Sequence, residues 1–173
     1  PNEAMCSTSS LGGQEKVWCG TGWTGQPVVW VRPNGTTEVI FGAYDKSIHF
    51  LDAATGERTR PDFFMGDIIK GSVVLDPDGY PLLYAGSRDH RYRIIALDRE
   101  VPTELWSLDA NSVNGKWNND WDSSAAIVDD YLFEGGENSW WFAVKLNRKR
   151  DETGLVQIQP EVLYQTPSWT DEL

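Results

Sequence analysis

Apolar residues in this chain come in short runs, cut by turns rich in Asp, Gly, Asn and Pro. The clearest stretch is Gly71 to Leu108. Gly71-Ser-Val-Val-Leu75 is apolar, and Asp76-Pro-Asp-Gly-Tyr-Pro81 carries strong turn chemistry. Leu82 to Gly86 is a second apolar run and Ser87 to Arg91 a polar turn. Tyr92 to Leu97 is a third run, Asp98 to Thr103 turns again, and Glu104-Leu-Trp-Ser-Leu108 is a fourth. Runs of this length predict β-strands, and no segment sustains a helical period. The runs are apolar without clean alternation, which predicts strands covered on both faces.

The same unit is written three times. It reads Val39-Ile-Phe-Gly42-Ala-Tyr-Asp45 then Ile48 to Asp52, and Leu83-Tyr-Ala-Gly86-Ser-Arg-Asp89 then Arg93 to Asp98. The third copy is Leu132-Phe-Glu-Gly135-Gly-Glu-Asn138, then Trp141 to Asn147. The aligned glycines Gly42, Gly86 and Gly135 lie 44 and 49 residues apart. A period of this length, with four short strands in each unit, predicts an all-β fold, a β-propeller of four-stranded antiparallel blades. The expected division is an N-terminal segment over 1–22 holding the end of a preceding blade, then blades over 23–66, 67–116 and 117–166. Residues 167–173 resemble the start of a further blade. Propellers close with about four to eight blades. Three blades leave apolar faces open, so the remainder is expected in the same chain or in another one.

Composition narrows the partners. The 173 residues carry a net charge of −11, which disfavours a nucleic-acid surface. No apolar run reaches the roughly 18 residues of a transmembrane helix. Arg148-Lys149-Arg150 is the one basic cluster and reads as a solvated turn after a strand. Cys6 and Cys19 bracket a Ser/Gly-rich stretch. A disulfide between them points to an extracytoplasmic setting, secreted or periplasmic; the alternative is two free thiols. His49 reads as a packed strand histidine.

Leu51-Asp-Ala-Ala-Thr-Gly-Glu57 and Ile95-Ala-Leu-Asp98, followed by Leu105-Trp106, resemble the repeat of quinoprotein-type (PQQ-like) propellers. The resemblance spans about residues 23–166. It implies a packing device, with the tryptophan between blades and the Asp and Thr-Gly in a turn. The family includes quinone alcohol dehydrogenases that use PQQ and calcium, and non-enzymatic propellers of outer-membrane assembly. This chain departs from the enzymes in two ways: the first copy has Pro61-Asp-Phe-Phe where the tryptophan is expected, and the enzymes' adjacent-cysteine pair is missing. A WD40 reading is weaker, because Trp121-Asp122 precedes a first strand.

In a propeller the inter-blade loops and the turns between second and third strands emerge on one face around the channel, and loops there carry ligands. The candidate binding residues on that face are Trp117, Asn119, Asp120, Trp121, Asp122, Glu137, Asn138, Trp140, Asp45, Asp89 and His90. Asp120, Asp122 and Asn138 have the hard oxygens that calcium takes in sets of about six to eight, and equally suit Asx turns. Asp45, Asp89 and Asn138 occupy one position of the repeat and read as turn formers. The indoles suit either stacking on a ligand or packing between blades. No nucleophile motif is present. The expected function is a scaffold that binds a protein or small-molecule ligand without catalysis. The alternatives are a quinoprotein-like dehydrogenase, with Asp120 or Asp122 as base, and a carbohydrate-active propeller.

Overall fold

The computed structural model describes residues 5–21 and 25–170. Trp23 and residues 171–173 of the expected further blade lie outside the described residues. The chain opens with a hairpin of β1 (Cys6–Leu11) and β2 (Gln14–Cys19), turned at Gly12 and Gly13 with φ of 59° and 77°. Two successive positive φ angles suit the right-handed twist of the strands, and glycine adopts them without strain. Cys6 pairs with Cys19 in register and the two form a disulfide. The expected end of a preceding blade is thus a self-contained two-stranded sheet.

Three four-stranded antiparallel sheets follow. The first holds β3 (Val28–Val31), β4 (Thr37–Gly42), β5 (Ser47–Asp52) and β6 (Phe63–Phe64). The second holds β7 (Val74–Leu75), β8 (Leu82–Gly86), β9 (Arg91–Ala96) and β10 (Thr103–Asp109). The third begins with β11 (Ala126–Val128), β12 (Tyr131–Gly135) and β13 (Trp140–Lys145). A small hairpin of β14 (Lys149–Arg150) and β15 (Val156–Gln157) precedes its last strand, β16 (Glu161–Pro167). In each sheet the strands pair in chain order, as the blades of a propeller do.

The middle blade explains the absence of alternation. Leu83, Ala85 and Ile95 pack toward Ile40, Ile48 and Phe50 of the first blade. Leu82, Tyr84, Tyr92 and Ile94 pack toward Leu132, Phe142 and Val144 of the third. Every residue of β8 is therefore buried, whichever way it points. The outward faces of the end blades stay uncovered: Val29, Val31 and Phe64 on the first, and Val128, Trp141 and Tyr164 on the third. The ring is not closed by the described residues.

Each inter-blade linker is stitched to two blades by the same backbone hydrogen bonds. Ile69 N–H donates to Ala43 O, and Trp121 N–H to Ser87 O one blade later. In the other direction, Arg88 N–H donates to Ile68 O and Glu137 N–H to Asp120 O. The repeated glycine is what lets the linker pass. A Cβ on Gly42 would lie 2.3 Å from Ile69 Cγ2, and one on Gly86 would lie 2.4 Å from Trp121 Cβ. Asp45, Asp89 and Asn138 each accept a hydrogen bond from the backbone N–H two residues on, closing the adjacent turns. Lys46, His90 and Ser139 follow them with φ of 71°, 71° and 63°.

The basic cluster is not a solvated turn. Lys149 and Arg150 are exposed, but the Arg148 guanidinium is buried and reaches Asp76 at 2.6 Å, Asp78 at 2.7 Å and Asp130 at 2.8 Å. It ties the third blade to the first turn of the second. Arg60 does the same between the first two blades: it forks onto Glu38 at 3.0 and 2.8 Å and donates to Leu97 O at 3.0 Å.

Candidate functional site

The loop face is partly roofed by the N-terminal hairpin. Ser7 Oγ donates to Tyr44 O at 2.5 Å, Ser9 Oγ to Asp67 Oδ2 at 3.1 Å, and the Trp18 ring meets Tyr44 edge-on at 5.7 Å. The hairpin tip then overhangs a cavity of about 310 Å³. Four parts of the chain build this cavity. The tip supplies Ser10, Gly12 and Gly13; the β8–β9 turn supplies Arg88 and His90; the linkers supply Asp67, Asn118, Asn119 and Asp120. Among the described residues, no Phe, Tyr, Trp or aliphatic side chain lines it.

Arg88 dominates the floor. It is 8% exposed, and its Nε donates to Asp120 Oδ2 at 2.7 Å. Its Nη1 is buried with no hydrogen-bond partner. A buried donor left unmatched costs about 1–3 kcal/mol. Burial pushes the Asp120 carboxyl up, and Arg88 opposes the rise. Asp67 is held by Lys46 at 3.4 Å and by the backbone N–H of Ile68 at 2.7 Å. His90 is half exposed, and its Nδ1 lies 3.0 Å from Asn119 O. A carbonyl oxygen only accepts, so Nδ1 carries the proton and Nε2 of the neutral ring is an acceptor.

The predicted residues divide accordingly. Asn119, Asp120 and His90 come together in the cavity. Trp121 is fully buried between Tyr92 and Phe142, with Nε1 donating to His90 O at 2.9 Å. Asn138 is buried, donating to Ala110 O at 3.1 Å. Glu137 accepts from Asn118 Nδ2 at 3.2 Å, Asp122 pairs with Lys70 at 3.0 Å, and Trp140 donates from Nε1 to Asn114 O. Asp45 meets His49 at 2.9 Å and Asp89 pairs with Arg93. Trp117 is 74% exposed. Among the described residues, no three His, Cys, Asp or Glu side chains are grouped to hold a metal ion. Arg88, Asp67, Asn118 and the hairpin tip were not singled out from the sequence. The signal for Arg88 was its place in the repeat, where the other copies have Tyr44 and Glu137.

Fold and site together define an all-β propeller arc with a polar cavity on its loop face. No family model matches the chain, and no curated protein matches it. Among solved structures, it is similar to BamB from Moraxella catarrhalis, with 13% identity and a TM-score of 0.41. That match covers 92% of this chain and 58% of BamB, so this chain spans little more than half of that protein's length. The propeller assignment rests on the three sheets and their repeated linker contacts.

Proposed function

We propose that this chain is a non-catalytic binding scaffold whose ligand site is the loop-face cavity. The observation that carries this reading is a polar cavity built from four separate segments and floored by the buried Arg88–Asp120 pair. A scaffold with fixed strands and a built loop site binds without requiring a reactive group. The Cys6–Cys19 disulfide supports an extracytoplasmic location. The uncovered faces at Val29 and Val31 and at Trp141 and Tyr164 support a ring completed by further blades, in this chain or another.

The residues present do not fit a flat quinone with calcium. Among the described residues, the cavity offers no Phe, Tyr or Trp ring to stack on. Its carboxylates are already engaged, Asp120 by Arg88 and Asp67 by Lys46, while Asp122 is held by Lys70 outside it. No step is derived through that cofactor.

The test uses Ser10→Trp, which fills the cavity from an exposed hairpin position. A library of small polar molecules and short peptides is screened by thermal shift against the wild type and this variant. Ligands that raise the wild-type Tm but not that of the variant, and that are recovered chemically unchanged, support the reading. Ligands that act equally on both, or are turned over, overturn it.

A further inference from the structure

We infer that the loop-face cavity takes a neutral carbohydrate, an inference that rests on the reading of this cavity as the ligand site. The lining sets the chemistry. With no aliphatic, Phe, Tyr or Trp side chain of the described residues facing in, this lining gives an apolar ligand little to bury against. Arg88 is the cation on the floor and is already matched by Asp120 at 2.7 Å, with Asp67 close by. A phosphate or sulfate would meet two carboxylates in a chain of net charge −11.

What the cavity does present is a mixture of donors and acceptors. Arg88 Nη1 donates. His90 Nε2 accepts, because Nδ1 is committed to Asn119 O. Asn118 donates to Glu137 from Nδ2, which leaves its amide oxygen as an acceptor. A hydroxyl group both donates and accepts, so a ring of adjacent hydroxyls answers this mixture where a carboxylate or an ammonium answers only one part of it. A peptide segment brings one donor and one acceptor per residue, and side chains for which this lining has no apolar subsite. The volume of about 310 Å³ sits at the lower end of ligand pockets, the size of one or two sugar rings.

The experiment is a calorimetric titration of the full chain with a panel of neutral mono- and disaccharides, with small carboxylates and inorganic phosphate run in parallel. Ser10→Trp blocks the cavity from an exposed position, and Asn118→Asp converts an amide to a charge without changing shape. The expected result is saturable binding of at least one neutral sugar, weakened tenfold or more by both variants. Circular dichroism and Tm confirm that each variant is folded. Three outcomes overturn the inference. No sugar binds at millimolar concentration. A sugar binds equally well to Ser10→Trp. Only a carboxylate or phosphate binds in a way that Ser10→Trp blocks, in which case the cavity remains the ligand site and only the carbohydrate class falls.

Discussion

Glu134 is a carboxyl group that folding should hold protonated near neutral pH. It lies on β12, 1% exposed, on the side of the strand that carries Leu132 toward the second blade. Burial pushes its pKa up from the ordinary 4.5 to about 7, while the Ser123 hydroxyl holds it back. The hydrogen bonding agrees. Ser123 Oγ touches both Glu134 Oε1 and Gly135 O, and a hydroxyl has one proton to give. With Glu134 protonated, the acid donates to Ser123 and Ser123 donates to Gly135. Oε2 has no partner.

A rise from 4.5 to about 7 is worth about 3 kcal/mol at roughly 1.4 kcal/mol per pH unit. The folded state holds this proton more tightly than the unfolded state. Stability from this group is therefore full below pH 4.5, falls as pH rises to about 7, and is level above that. Glu134→Gln removes the titration and keeps the shape. Urea unfolding with the disulfide intact, from pH 4.5 to 8, should show the variant about 2–3 kcal/mol more stable than wild type at pH 8. At pH 4.5 the two should agree within about 0.5 kcal/mol. A difference that does not change with pH, or a variant less stable at pH 8, refutes the reasoning.

Trp121→Ala should destabilise the chain by about 3–5 kcal/mol in the same urea assay, because it empties the layer between Tyr92 and Phe142. Arg148→Met should cost about 3–5 kcal/mol, since it leaves the buried Asp76 carboxylate with the Tyr84 hydroxyl at 2.7 Å and the Asp78 N–H at 3.0 Å but without its cation. Adding Asp76→Asn should recover part of that loss, and failure to recover any would show that the ion pair is not the cause. Replacing Cys6 and Cys19 by Ser should remove roughly 3 kcal/mol of constraint on the hairpin alone. Hydrogen exchange should then rise on β1 and β2 while β8 and β9 stay protected, and uniform acceleration would contradict this.

The blades were legible because each one solves the same steric problem at the same place. A linker must cross the end of the second strand, so that strand ends in Gly42 or Gly86, where a Cβ would strike the linker. The following turn must close, so Asp45, Asp89 and Asn138 recur. Such needs are local and repeat with the period, and a single sequence shows them. The Arg148 cluster was misread because its partners are about 70 residues away, at Asp76 and Asp78. Nothing in the local pattern distinguishes a buried triple ion pair from a solvated turn. The β14–β15 hairpin escaped for a related reason: its strands have two residues each and draw their order from Asp98, whose carboxylate accepts from Val156 N–H at 2.5 Å.

The cavity lies at the far end of this scale. It joins residues near positions 10, 67, 90 and 119, and no motif spans them. Its key residue was nevertheless visible in one respect. Tyr44, Arg88 and Glu137 occupy the same place in the three turns, and Arg88 and Glu137 make the same backbone hydrogen bond to the preceding linker. The blade asks nothing of the side chain there, and the three copies carry an aromatic, a cation and a carboxylate. Tyr44 is spent on the Trp18 ring and Glu137 on Asn118. Arg88 alone of the three keeps a buried N–H without a partner. In a repeat fold, the positions that obey the period hold the blades together. Chemistry is to be sought where the backbone repeats and the side chain does not, and Arg88 is that position here.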